Sequence, residues 1–297
     1  MKNNSKKALI TGVSGYIGSN LAKSLLGDGW QVGGIIRKDT NLDLLSCAKN
    51  NIELSIYDGT VDSLITFIGR HKPDVVFHLA SCFIAEHQSD QINDLINSNI
   101  LFGTHLLEAM KEAGVKKLIN TGTAWQHYNN ENYNPVCLYA ATKEAFEKII
   151  DFYVSAHDLS AITLELFDTY GPNDPRKKII PLFCKAAQTM EQLLMSPGEQ
   201  ELDLVYIDDI LESYKIAYKM ILTQEKGRKK YSVATQKPIS LKNLAKIFEN
   251  VLNKKLNIIW GERAYRKREV MNVWDGGTIL PNCNALCNLE EGLKKCL

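Results

Sequence analysis

Ala8-Leu-Ile-Thr11 runs directly into Gly12-Val-Ser-Gly15-Tyr-Ile-Gly18, ten residues from the start of the chain. The next residues, Ser19-Asn-Leu-Ala-Lys-Ser-Leu-Leu26, continue with apolar side chains at helical spacing (Ile17, Leu21, Leu25). The stretch therefore reads as strand, tight turn and helix. Three glycines spaced G-x-x-G-x-x-G arise by chance in many chains; their placement on a strand-to-helix turn is what informs. There the first glycine allows the tight turn, the second lets the backbone approach a pyrophosphate, and the third lets the helix pack close to the strand. The helix N-terminus adds N–H groups and a partial positive charge. Gly12, Ser14, Gly15, Tyr16, Ile17 and Gly18 are thus candidate cofactor-binding residues. The competing reading is an ordinary glycine-rich βα turn.

Working outward, strand and helix signals alternate. Gly29–Ile36 and Ile52–Tyr57 read as strands, and Asp74–Ala80 is a continuous apolar run suited to a strand buried on both faces. Residues 99–113 read as a helix stopped by Gly114, Lys116–Asn120 as a strand, Tyr139–Ala156 as a helix and Ala161–Leu166 as a strand. This alternation predicts an α/β fold: a Rossmann-type, doubly wound parallel sheet with a smaller C-terminal lobe. Beyond Gly171-Pro172 the pattern loosens into short elements, among them Asp203–Ile207, a helix from about Asp209, and Leu241–Leu252 with Ser240 as N-cap. The expected division is residues 1–170 as the cofactor-binding domain and 171–297 mainly as a substrate-binding lobe, with elements returning to the first.

The chain has 297 residues, 45% hydrophobic and 23% charged, with a formal net charge of +1. That composition suits a globular enzyme and argues against a general nucleic-acid or membrane surface. The short apolar stretch after Met-Lys-Asn-Asn-Ser-Lys-Lys is too brief for a signal peptide or a membrane span, so a cytoplasmic location is expected. Cys47, Cys82, Cys137, Cys184, Cys283, Cys287 and Cys296 form no C-x-x-C pair and read as reduced thiols. His78, His87, His105 and His127 lack metal-ligand spacing, and no metal is expected.

Tyr139-Ala-Ala-Thr-Lys143 puts a phenol and an ammonium four residues apart on one helix face. A free tyrosine titrates near 10; a cation beside it favours the phenolate and lowers that value. Such a tyrosine can give a proton to, or take one from, a carbonyl or alcohol oxygen. Thr123, at the end of the preceding strand, could hydrogen-bond the same oxygen. Alone, Y-x-x-x-K is more often a solvated helix face.

Together Gly12, Gly15, Gly18, Thr123, Tyr139 and Lys143 resemble the extended short-chain dehydrogenase/reductases, which include the NAD-dependent epimerases and dehydratases. The resemblance covers nearly the whole chain. It implies catalytic roles for Thr123, Tyr139 and Lys143, the last also holding a nicotinamide ribose. It implies cofactor contacts for Asp58, for Leu79 and Ala80 at the end of the apolar strand, and for Asn99. Tyr170-Gly-Pro172 resembles the entry to the substrate lobe, and Val205-Tyr-Ile-Asp-Asp209 a later signature. Some positions depart from the pattern. Ala124 and Trp125 stand where dehydrating members carry an acid, which argues against a 4,6-dehydratase. Glu165, Asp168 and Leu202 replace the usual Arg, Asn and Arg.

The second strand ends Ile35-Ile36-Arg37-Lys38. An acid there would select a ribose 2′-hydroxyl; a guanidinium and an ammonium, with Ser14 as a further donor, favour a 2′-phosphate and hence NADP(H) over NAD(H). The alternative is a plain polar strand end. Glu262-Arg-Ala-Tyr-Arg266-Lys-Arg-Glu269-Val-Met271 carries an R-x-x-E-x-M core similar to that of CDP-abequose and CDP-paratose synthases. By that resemblance Arg266 meets a sugar-nucleotide diphosphate, with Trp125 and Asp168 also substrate-binding; a solvated basic helix is the alternative. The implied activity is NADPH-dependent reduction of a nucleotide-linked 4-keto sugar for surface polysaccharide such as lipopolysaccharide. A 4-epimerase with tightly held NAD is the runner-up, and a cofactor-sensing regulator comes third. Surplus apolar residues on the helices at 99–113 and 139–156 imply a homodimer.

Overall fold

The structure, a computed structural model, describes residues 5–283 and 287–297. In chain order the first elements are β1 (Lys7–Thr11), α1 (Tyr16–Gly27), β2 (Gln31–Ile36), β3 (Ile52–Ile56), α2 (Val61–His71) and β4 (Val75–His78). Then come α3 (Ile92–Ile96), α4 (Phe102–Glu112), β5 (Lys117–Thr123), α5 (Leu138–His157) and β6 (Ser160–Leu166). The rest are β7 (Asp168–Tyr170), α6 (Ile179–Thr189), β8 (Leu193–Met195), β9 (Glu201–Leu202), β10 (Leu204–Tyr206), α7 (Ile207–Thr223), β11 (Gly227–Val233), β12 (Ile239–Ser240), α8 (Leu241–Leu252), β13 (Ile258–Trp260) and α9 (Leu289–Lys294).

The apolar runs that read as strands are buried on both sides, as β4 shows with all four residues buried. They form a seven-stranded sheet in the order β11-β6-β5-β4-β1-β2-β3. The pairs β3–β2, β2–β1, β1–β4 and β4–β5 are parallel. Because β1 and β4 are neighbours while the chain winds away from them in both directions, their carboxyl ends mark the switch point where α/β sheets bind ligands. Helices α2, α4 and α5 bury Leu64, Phe67, Leu106, Met110, Phe146 and Ile150 with sheet residues such as Leu9 and Val76 in one core.

The contacts group the chain into two compact units, one of residues 1–123, 137–165 and 213–231, the other of 124–136, 166–212 and 232–297. These units interleave along the chain. In the second unit β7 pairs with β10 and β8 with β13, both parallel, and β9 pairs with β12 antiparallel. Its α8 is capped as expected, Ser240 Oγ accepting the Asn243 N–H at 3.3 Å.

Several local expectations are corrected. β5 runs on to Thr123, and α7 starts at Ile207, immediately after β10. The helix expected over 99–113 enters through a π turn, Asn97–Leu101, that continues α3 into α4. The apolar surplus on α4 is smaller than its pattern implies. Phe102, Leu106, Leu107 and Met110 are all buried in the first unit's own core, while Leu101 in the π turn and Phe152 on α5 are exposed. No disulfide joins the seven cysteines. Among the described residues no helix is long and apolar enough to cross a membrane.

Candidate active site

The turn between β1 and α1 has the sterics of a phosphate cradle. Gly12 sits at φ +70, and a Cβ there would stand 2.7 Å from the Ala80 nitrogen. A Cβ on Gly18 would stand 2.1 Å from the Gly12 oxygen, so the helix reaches the strand only without one. Gly15 is the exposed N-cap of α1; the cap makes no side-chain hydrogen bond, and the first turn carries no acidic residue. The positive end of α1 thus suits an anion, and the residues fit the pyrophosphate of a dinucleotide. The carboxyl ends of β1 and β4 are tied together beside it. Leu79 N–H donates to the Thr11 carbonyl at 3.2 Å, Ala80 N–H to Thr11 Oγ1 at 3.3 Å, and His78 Nδ1 bonds that same hydroxyl at 2.8 Å.

Arg37 and Lys38 follow β2 directly, and both are exposed. A turn orders them, Arg37 N–H donating to Thr40 Oγ1 at 2.9 Å. Asp58 has local work: its Oδ1 accepts the Thr60 N–H at 2.9 Å and hydroxyl at 2.7 Å, arranging the N-cap of α2. Those bonds hold the exposed Asp58 carboxyl below its usual range.

Asn99 is buried in the π turn. Its Oδ1 accepts from Cys82 N–H at 2.7 Å and Ser81 Oγ at 3.1 Å; its Nδ2 donates to the Cys82 carbonyl at 3.0 Å and to Thr142 Oγ1 at 2.9 Å. Two donors and two acceptor positions are all engaged, so the amide has no capacity left for a cofactor. The side chain is held entirely by the protein's own groups. Asn99 staples the segment after β4 to α5, where Thr142 Oγ1 in turn donates to the Tyr139 carbonyl at 2.7 Å.

Tyr139 lies in the first turn of α5, its phenol oxygen hydrogen-bonded with Ser81 and with Thr123. The Phe83 ring stands edge-on to it at 4.9 Å. Ser81, which no sequence motif marks, joins the expected Thr123. The spacing predicts that Lys143 lowers the phenol; the structure differs. Burial pushes Tyr139 up to about 12, and the bonds to Ser81 and Thr123 are what oppose it. Desolvation of a phenolate outweighs those bonds. Lys143 is itself buried, and burial draws its ammonium down to about 8 against the opposing pull of Glu147. His78, enclosed below, is held neutral down to about 3 by burial and by Lys143.

The remaining expected residues lie in the second unit. Trp125 occupies a 3₁₀ turn, Ala124–Gln126, with the Arg266 guanidinium 4.9 Å from its ring centre. Arg266 is engaged by Glu269, through Nε at 3.0 Å and Nη2 at 2.6 Å. Asp168 pairs with Lys178 at 3.0 Å. The basic segment is thus a docked strap, not a solvated helix: Arg268 lies over the Tyr128 ring at 4.2 Å and the Trp274 ring stacks on His127 at 4.2 Å. Among the described residues no group of three His, Cys, Asp or Glu side chains could hold a metal ion.

Residues 8–234 match the NAD dependent epimerase/dehydratase family. The CDP-abequose synthase of Yersinia pseudotuberculosis is 30% identical over 269 residues, covering 89% of this chain and 90% of that protein. The CDP-abequose synthase of Salmonella muenchen is 27% identical, covering 98% and 97%. Among solved structures, a UDP-N-acetylglucosamine 4-epimerase from Methanobrevibacter ruminantium superposes with a TM-score of 0.84 at 23% identity, over 98% of this chain and 96% of that one.

Proposed function

The chain belongs to the NAD dependent epimerase/dehydratase family, and from that premise we propose that it is an oxidoreductase acting on a sugar nucleotide. Its reaction is reduction of the 4-keto group of a nucleotide-linked 6-deoxy or 3,6-dideoxy sugar, a cytoplasmic step of surface polysaccharide synthesis. The similarity to two CDP-abequose synthases over most of the chain supports the substrate class. The observation that carries the reading is geometric: the Tyr139 phenol on α5 meets Ser81 after β4 and Thr123 at the end of β5, hydroxyls that can hold one substrate oxygen. That phenol holds its proton up to about 12.

The β1–α1 turn would hold the dinucleotide, and Arg37 and Lys38 supply the charge that suits a 2′-phosphate, so NADPH is the proposed cofactor. When bound, it supplies the hydride that reduces C4. Tyr139 protonates the alkoxide oxygen, Thr123 polarises the same oxygen, and Lys143 is the residue proposed to orient the nicotinamide ribose. Arg266, held over Trp125, is the proposed diphosphate contact. Purified protein offered 4-keto sugar nucleotides should oxidise NADPH, and Tyr139→Phe should lower kcat by at least about a hundredfold while leaving folding intact. Interconversion of C4 epimers without added cofactor would overturn the reading. Exposed Leu101 and Phe152, on the helices flanking the site, fit pairing with a second copy. Phe152→Asp should then halve the mass seen by sedimentation equilibrium, from about twice 33.4 kDa.

A further inference from the structure

Tyr139, Lys143 and Glu147 follow one another at intervals of four along α5, a single stripe on one face. Two of the three are charged, yet Lys143 and Glu147 belong to the helix's buried face, Glu147 at 0% exposure. Buried carboxylates are costly unless paired and hydrogen-bonded. Glu147 Oε2 is met by Arg228 Nη1 at 2.7 Å and by Lys230 Nζ at 3.0 Å. Its Oε1 lies against β5 one residue before Thr123: a Cβ on Gly122 would stand 3.3 Å from it. Arg228 and Lys230 are two apart on β11, half-buried, with exposed Lys229 between them, so both point to the same side.

The cluster extends further. Arg228 also reaches Asp151, Nε to Oδ1 at 2.5 Å, and Lys230 lies 3.1 Å from buried Glu165 and 3.6 Å from Glu144. Buried ion pairs are weak evidence for stability, since apolar replacements often serve as well. What distinguishes this one is where it ends. Around Lys143, neutral His78 on β4 and the neutral phenol of Tyr139 offer no negative charge, and burial opposes the ammonium. Glu147 is the carboxylate that favours it.

We propose that Glu147 is a positioning residue for the reduction: gripped by Arg228 and Lys230, its carboxylate lies one helical turn from Lys143 on the same buried face of α5 and keeps that side chain an ammonium. This rests on the reading of Lys143 as a residue of the reductase site. The two β11 cations share the same oxygen and offset part of its field, so substitutions at Glu147 and at Lys230 act on Lys143 with opposite sign.

The test is an NMR titration of the cofactor-free protein labelled with ε-13C-lysine, the Lys143 signal being identified by its loss in Lys143→Met. Glu147→Gln should lower the Lys143 midpoint by about one pH unit, the order of effect of one close charge. Lys230→Met should raise it, and Glu147→Asp should restore part of the wild-type value. In turnover, the alkaline limb of kcat should move with the midpoint. An unchanged midpoint in folded Glu147→Gln protein, or shifts of the same sign in both variants, overturns the proposal. Should Glu147→Gln fail to fold, Lys230→Met and Arg228→Gln decide it, because a purely structural cluster predicts no rise. Full turnover by Tyr139→Phe would instead sink the functional reading and leave the titration standing.

Discussion

Arg37 and Lys38 close β2 in open solvent, whereas Arg228 and Lys230 lie two apart on β11 against Glu147, Asp151 and Glu165. As sequence, Ile36-Arg37-Lys38 and Arg228-Lys229-Lys230 are alike: basic residues at a strand. Their surroundings separate them. The first pair keeps its charge available to an incoming anion. The second is committed to the carboxylates of Glu147, Asp151 and Glu165. Distance alone does not distinguish such groups. The exposed Lys226–Asp158 pair is 2.6 Å long and the Arg228–Glu147 pair 2.7 Å, yet the side chains of the first are 71% and 64% exposed and Glu147 is 0% exposed. Water screens the one and is excluded from the other.

The comparison can be broken by three substitutions. Glu147→Ala should have the largest effect on stability, a loss of about 3 kcal/mol in denaturant unfolding, at the low end for a broken buried pair because Asp151 and Glu165 still hold the two cations. A loss below about 1 kcal/mol would mean that water already reaches the cluster. Arg37→Ala should leave the unfolding curve in place and weaken NADPH binding by about 1.5–3 kcal/mol, with NADH nearly unaffected. Calorimetric titration with both cofactors checks this; equal weakening would show that Arg37 does not read a 2′-phosphate. Lys226→Ala should do least, with no measurable change in melting temperature despite the short distance. Should it rival Glu147→Ala, burial would not be what divides the two regions.

Much of the site was legible because it is local. The glycine turn is set by neighbours within seven residues, and the Tyr139–Lys143 stripe by one turn of helix. Phe83 and Ser81 were not legible. They come from a loop after β4 that Asn99 staples to α5, and no spacing joins residues 81, 99 and 142. Asn99 itself was visible as a position but not as a saturated amide, since counting its bonds needs the partners in place.

By itself the sequence determined the β-α alternation, the strand-turn-helix cradle, the α8 cap at Ser240 and the helix that carries Tyr139 and Lys143. Each depends on backbone geometry and side-chain periodicity over a few residues. The tertiary structure alone decided which charges are buried, that the Tyr139 phenol stays protonated, that α4's apolar residues are absorbed by one core, and that Glu165 and Glu147 meet Lys230 from 65 and 83 positions away along the chain. The physical reason is that charge state and packing depend on solvent exclusion, and exclusion is a property of everything packed around a residue.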